Sequence, residues 1–173
     1  MKLYHVSENP GIHEFVPRPA PSHFEQITGP VVFAITDTLL HNYLLPRDCP
    51  RVTFYKTPAT SAYDRAQFFG QTDADYTIIT EEEWKPIIHN TLLYLYEFPT
   101  ESFQLLDENA GYYISTERVR PIAVTVINNC LNELASRKID IQFVPNLWNI
   151  ADAVAQSSLN FSIIRMRNAL PRE

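Results

Sequence analysis

Proline is the residue type that most constrains this chain. The 173 residues include 13 prolines and four glycines, and the prolines are spread along the whole sequence. Each proline fixes one backbone angle and lacks the amide hydrogen that a helix interior or a central strand requires. The chain is therefore expected to fold into many short elements, and its few glycines argue against a glycine-rich phosphate loop.

The length and the apolar content favour one globular domain covering residues 1–173. Hydrophobic residues make up 45% of the chain and aromatic residues 12%, which is ample material for a core. Strand-like segments outnumber helical ones, and the two types do not alternate regularly. This pattern favours an α+β fold with mixed or antiparallel central sheets and short flanking helices.

The clearest strand signal lies at residues 91–98. Alternation puts Tyr94, Tyr96 and Phe98 on one face of this strand, and Leu93, Leu95 and Glu97 on the other. A capping box formed by Thr80 and Glu83 predicts the start of one helix. The other predicted strands cover residues 3–6, 31–35, 51–55, 112–115, 122–127 and 139–143. The other predicted helices cover residues 37–45, 61–69, 131–135 and 147–154.

The net charge and the cysteine content limit the classes of binding partner and the cellular location that are expected. The formal net charge of −6 opposes binding to the phosphate backbone of a nucleic acid. No apolar run approaches the roughly 18 residues of a membrane span, and the first residues resemble a strand and not a signal peptide. Cys49 and Cys130 form no Cys-x-x-Cys pair, so both are expected to be reduced thiols in the cytoplasm. The oligomeric state is left open.

His5 and Ser7 are the first candidate site residues. Alternate residues of a strand share one face, so the imidazole of His5 is expected beside the hydroxyl of Ser7. Such a pair either binds a ribose hydroxyl or moves a proton near neutral pH, with Glu8 orienting the ring. The alternative is a core histidine that is hydrogen-bonded to the backbone. A connection at residues 10–28 follows, and its length is typical of a loop that covers a site.

The segment from Pro46 to Arg51 places Cys49 between two arginines. Positive charge from Arg47 and Arg51 lowers the pKa of an exposed thiol, so Cys49 is a candidate nucleophile. In the alternative interpretation, Cys49 packs as a small apolar side chain while Asp48 pairs with an arginine. Arg47 and Arg51 are also candidates for binding an anionic ligand, together with the arginines near the C-terminus.

A third group of polar residues ends the predicted strand at residues 112–115. Ser115 and Glu117 share a face there, and a carboxylate at this place is suited to stabilising a cationic sugar transition state. The alternative is a surface ion pair between Glu117 and Arg118 or Arg120. Glu97 is a second candidate carboxylate. The five histidines lack the spacing of metal ligands, so no metal site is predicted.

Several segments resemble an uncharacterised family of short bacterial proteins, and the likeness covers nearly the whole chain. The resemblance is carried by the start at Leu3 to Glu8, the loop Tyr43 to Arg51, and the end at Ile164 to Ala169. That family implies no activity.

Tyr4-His5-Val6-Ser7 is also similar to the first-strand motif of ADP-ribosyltransferase-like domains. In those domains the motif binds the ribose of NAD, an aromatic residue on a following strand lies against the nicotinamide, and a later acidic residue completes the site. The resemblance implies that His5 and Ser7 bind the ribose, that Phe33 is the aromatic residue, and that Glu117 or Glu97 is the acid.

Three functions remain open on the sequence. The first is an ADP-ribosyltransferase-like domain that binds NAD or a related nucleotide, with Ser115 at the same site. The second is a thiol-dependent enzyme in which His5 acts as the base for Cys49. The third is a non-enzymatic module that binds an anion or a small ligand.

Overall fold

The structure is a computed structural model that describes residues 1–20 and 24–172. Residues 21–23, within the long connection, lie outside the described residues, and so does the last residue. The described chain forms two compact units, and each unit is built from two separate segments. The first unit comprises residues 1–43 and 92–128, and the second comprises residues 44–91 and 129–173. The single domain expected above stays a prediction.

The first unit is built on an antiparallel sheet of six strands among its described residues. The strand order is β6-β7-β2-β1-β5-β8, so β1 and β2 occupy the centre. A 3-10 helix at Asp37–Tyr43 follows β2. The strands are β1 (Leu3–Ser7), β2 (Val32–Thr36), β5 (Leu93–Phe98), β6 (Gln104–Asp107), β7 (Tyr112–Ser115) and β8 (Ala123–Ile127).

The register of this sheet divides its side chains between two faces. Leu3 lies opposite Phe98, and His5 lies opposite Tyr96, so these residues share one face. That face carries the core of the unit, and its buried members are Leu3, Val32, Ala34, Tyr96, Phe98, Phe103 and Val119. The sheet therefore has a core face to which His5 and Ser7 belong, and an opposite face that carries Tyr4 and Val6.

The second unit is built on a four-stranded sheet in the order β10-β3-β4-β9. The pairs are antiparallel except for β4 and β9, which are parallel. Its core contains Val52, Phe54, Phe69, Ile79, Leu147, Ala151, Val154 and Leu159. The strands are β3 (Arg51–Tyr55), β4 (Tyr76–Glu81), β9 (Ile139–Val144) and β10 (Asn160–Ile164), and the helices are α1 (Ala62–Phe69), α2 (Lys85–Asn90), α3 (Cys130–Ser136) and α4 (Trp148–Ala155).

The α+β class and the short elements are confirmed, and the strand predicted at residues 91–98 is observed at Leu93–Phe98. The capping box at Thr80 is wrong, because Thr80 is a buried residue of β4 and its hydroxyl donates to the carbonyl of Pro50 at 2.7 Å. The next α-helix begins at Lys85 after a 3-10 turn at Glu82–Trp84. Strands β4, β6 and β10 were not predicted.

Candidate functional site

The two central strands of the first unit separate after a short ladder. Both strands lie within the described residues, and β1 pairs with β2 at Leu3 and Tyr4, whose partners are Thr36 and Ile35. From His5 to Ser7, β1 pairs with β5 and no longer with β2. A central strand normally uses its backbone hydrogen-bonding groups on both sides. Beyond Tyr4, the register of β1 is therefore set by β5, and His5 is the first residue past the end of the β1–β2 ladder.

The exposure of β1 agrees with this interruption. Leu3 and Tyr4 are buried, whereas His5, Val6 and Ser7 are half-buried although they belong to a central strand. The sequence predicted His5 and Ser7 on one face, and the register supports that placement, because their partners are Tyr96 and Tyr94 on β5. An imidazole and a hydroxyl therefore lie on the same face of β1, beyond the end of the β1–β2 ladder.

Aromatic rings surround the imidazole of His5. The ring centroid of Phe15 lies 4.8 Å from that of His5, and the centroid of Phe98 lies at 6.4 Å. Phe15 belongs to the long connection after β1, and its main chain exchanges two hydrogen bonds with Val119 at 2.8 and 2.9 Å. Phe15 therefore joins the strand of His5 to the segment that follows Glu117.

Ser115 and Glu117 lie where β7 ends, next to β2. The hydroxyl of Ser115 donates to Ser102 Oγ at 3.1 Å and accepts from the backbone N–H of Glu117 at 3.2 Å. Ser115 is 1% exposed, so its predicted contact with a ligand is corrected to the role of holding the backbone of Glu117. Glu117 itself is exposed.

The predicted ion pair between Glu117 and a neighbouring arginine is replaced by a different one. Arg118 binds Glu14 at 2.8 Å, and Arg120 binds the same carboxylate at 3.3 Å. The two guanidiniums lower the pKa of Glu14 from its ordinary value, mainly through hydrogen bonds, with Arg118 first. Sequence reasoning missed Glu14 because a pairing across 104 residues has no local signal.

Phe33 is not brought together with His5. It alternates with Val32 and Ala34 of the core face, so its ring lies on the opposite face of β2, where it packs near Phe24 and Tyr112. This corrects the expectation that Phe33 shares a cleft with His5. Tyr94, which lies across from Ser7, is half-buried, and the register places the face that it shares with Tyr96 and Phe98 on the same side as His5.

Glu97 also belongs to the opposite face, since its partner on β1 is Tyr4. Its carboxylate binds the ammonium group of Lys2 at 3.0 Å, which is an ion pair near the surface. Of the two candidate carboxylates, Glu117 is therefore the one that follows Ser115, which ends β7 on the face that carries His5.

The loop from Pro46 to Arg51 belongs to the second unit, and Cys49 and Arg51 within it are buried. Cys49 is fully buried, its Sγ lies 3.2 Å from Thr80 Oγ1, and burial raises the pKa of the thiol. The Arg51 guanidinium is 2% exposed and donates to the carbonyls of Pro46 and Cys49. Cys49 as an accessible nucleophile and Arg51 as a ligand contact are thus corrected, while Arg47 is exposed and stays a prediction.

The three C-terminal arginines differ in their surroundings. Arg172 makes a bidentate ion pair with Asp152, at 2.6 and 2.9 Å, and its guanidinium lies over the ring of Trp148. Arg167 is exposed on a 3-10 turn, and Arg165 precedes that turn with a left-handed backbone. These contacts anchor the end of the chain, and an anion-binding role for the C-terminal arginines stays a prediction.

Two searches of the described residues gave negative results. No group of three histidine, cysteine, aspartate or glutamate side chains is arranged to hold a metal ion in that part of the chain. Across the same residues, every helix is too short or too polar to cross a membrane. The cytoplasmic location stays a prediction.

Fold and site together define an α+β protein whose first unit carries an interrupted antiparallel sheet with an imidazole at the interruption. The chain belongs to the family of unknown function DUF6886, whose model matches residues 4–169. Neither a curated protein nor a solved structure matches the chain significantly.

Proposed function

We propose that the first unit binds NAD or a related nucleotide beside His5 and Ser7, where the β1–β2 ladder ends, and acts as an ADP-ribosyltransferase-like domain. The observation that carries the proposal is the end of the β1–β2 ladder at His5. The imidazole of His5 and the hydroxyl of Ser7 lie on one face of β1 beyond that point, and both are groups that bind a sugar.

The ribose contacts follow from the side chains on that face. His5 and Ser7 are half-buried and two residues apart, so a ribose diol reaches both at once. The side chain of Val6 lies on the opposite face of β1, away from His5 and Ser7. Tyr94 replaces Phe33 as the ring that stacks on a planar base.

Glu117 is the carboxylate that this proposal assigns to catalysis. When the bond between C1′ of the ribose and the nicotinamide nitrogen breaks, the electron pair leaves with nicotinamide and the sugar becomes a cation. The exposed carboxylate of Glu117, whose backbone N–H donates to Ser115, stabilises that charge. Water or an acceptor hydroxyl then bonds to C1′ and releases its proton to solvent, which yields hydrolysis or ADP-ribosyl transfer.

The test combines NAD binding with nicotinamide release. The wild-type protein is expected to melt at a higher temperature with NAD and to release nicotinamide on incubation. Glu117→Gln is expected to lower kcat by about 100-fold while keeping the NAD-dependent shift, because removing one electrostatic stabiliser costs about that much. His5→Ala is expected to weaken the thermal shift itself.

Matched controls are available at exposed positions. His89→Ala and Glu108→Gln change the same residue types at exposed positions that the proposal does not use, and both variants are expected to behave as wild type. A wild-type protein that shows neither an NAD-dependent shift nor nicotinamide release would remove the proposal.

A further inference from the structure

A segment of the long connection crosses the core face of the first unit, and it is here called the strap (residues 9–18). Tyr96 fixes its beginning, because the phenol accepts from the backbone N–H of Ile12 at 3.1 Å and donates to the carbonyl of Asn9 at 2.8 Å. At its end, Arg18 exchanges two backbone hydrogen bonds with Val31 at 2.9 and 3.0 Å. The strap is therefore fixed at both ends to the sheet that carries His5.

The middle of the strap contacts the imidazole. The ring of Phe15 lies 4.8 Å from that of His5 and packs edge-on against Tyr96 and Phe98, at 5.2 and 4.8 Å. Phe15 is held in place by Tyr96 and Phe98. Because close-packed side chains leave few rotamers to their neighbours, Phe15 restricts the orientation of the imidazole of His5.

The residue before Phe15 contacts the other part of the proposed site. Glu14 binds Arg118 and Arg120, which lie one and three residues beyond Glu117. Its carboxylate is 29% exposed, whereas the two arginines are 67% and 81% exposed, so Glu14 is the more enclosed partner. With the backbone pairing of Phe15 and Val119, the segment from 118 to 120 is held by one carboxylate and two main-chain hydrogen bonds.

We propose that Glu14 is a positioning residue, which fixes the segment carrying Glu117 relative to the imidazole that Phe15 packs against. This inference rests on the proposed function, because it assigns Glu14 a part in the same reaction. Glu14 touches no reacting atom in this proposal. It acts through the two arginines, and the strap couples the two halves of the site through consecutive residues.

Glu14→Gln tests the inference, since it keeps the shape of the side chain and removes its charge. We expect kcat for nicotinamide release to fall about 10-fold with KM changed less than about 2-fold, because misplacing a catalytic group lowers the rate more than the binding. Amide hydrogen exchange at residues 116–120 is expected to rise in the absence of NAD. Glu108→Gln is the matched control, and Glu14→Asp is expected to recover part of kcat.

The outcomes separate this inference from the proposed function. If the wild type releases nicotinamide and Glu14→Gln has the same kcat, the positioning role is wrong and the proposed function stands. If kcat falls but exchange at residues 116–120 is unchanged, Glu14 does not act through that segment, and the inference is again overturned. If the wild type does not bind or cleave NAD, both proposals fall together.

Discussion

At the scale of single residues, Cys49 shows how burial outweighs neighbouring charge. Arg51 favours the thiolate, but desolvation is the largest influence and raises the pKa of the thiol. The arginine is also committed to two carbonyls, so its positive charge serves the loop and not an exposed sulfur. A cysteine between two arginines in sequence is therefore an inert thiol in the fold.

The prediction for Cys49 concerns its reactivity. A raised pKa leaves less thiolate at any pH below that value, so iodoacetamide at pH 8 is expected not to modify Cys49 in the native protein. Modification should become complete in denaturant, and peptide mass spectrometry reads both states. An Ala135→Cys variant, with its thiol at an exposed position of α3, is the positive control. Rapid native labelling of Cys49 at that pH would contradict the burial.

The sequence alone showed how strand residues alternate between two faces. It did not show which residues of different strands lie on the same face. His5 and Ser7 were expected on one face, and the register places them there, because a strand has a fixed period of two. Phe33 was expected beside them, but a face is shared only in a particular register. That register depends on pairing between strands that are distant in sequence, and no local pattern encodes it.

At the scale of elements, one buried carboxylate connects two parts of the second unit. Glu81 ends β4 and is fully buried. It accepts from the backbone N–H of Leu147, just before α4, and from that of Leu170 near the C-terminus, at 3.0–3.2 Å. Since the start of a helix has unpaired N–H groups, a carboxylate there is favourable.

Glu81→Gln is expected to lower the free energy of unfolding by about 1–3 kcal/mol. The amide offers one acceptor oxygen in place of two, and its NH₂ group turns donors toward a backbone donor in a buried place. Urea denaturation followed by circular dichroism measures the change. Glu82→Gln, at the exposed neighbouring position, should stay within about 0.5 kcal/mol of wild type. Equal midpoints for the two variants would show that Glu81 does not link these elements.

Capping residues in the sequence predict the start of a helix well where the cap bonds only to residues of the same helix. Ser61 was expected to start a helix, and its hydroxyl oxygen accepts from the backbone N–H of Asp64 at 3.1 Å. Asn129 likewise caps α3 by accepting from Asn132. Thr80 carries the same kind of signal, yet it lies in a strand, because β3 and β9 supply hydrogen-bonding partners on both sides of β4. Tertiary pairing overrides a local preference of about 1 kcal/mol.

At the scale of the whole molecule, the chain passes between the two units three times, after residues 43, 91 and 128. Each unit therefore depends on segments that are far apart in sequence. In the first unit, β1 needs β5 as its full-length partner, and in the second unit β4 needs β9. Pairings of this kind form slowly and cannot be completed within one half of the chain.

Dividing the chain after Thr91 is therefore expected to leave both halves unfolded. Residues 1–91 lack β5 and β9, and residues 92–173 lack β1 and β4. Neither half should show a cooperative thermal transition by circular dichroism, whereas the intact chain should. A mixture of both halves is the matched control, because it contains every segment and differs from the intact chain only by the peptide bond after Thr91. A cooperative transition in one half alone would contradict the interdependence of the segments.

The amino-acid sequence by itself determined the short elements, the α+β class and the strand faces, because prolines, caps and alternation act over a few residues. Tertiary structure alone decided that Cys49 and Arg51 are enclosed, that Glu14 binds Arg118 and Arg120, and that β1 leaves β2 at His5. Burial, ion pairing across 104 residues and the length of a strand ladder depend on which distant segments meet. These interactions stabilise the chain only when distant segments fold together, and no short segment provides them by itself.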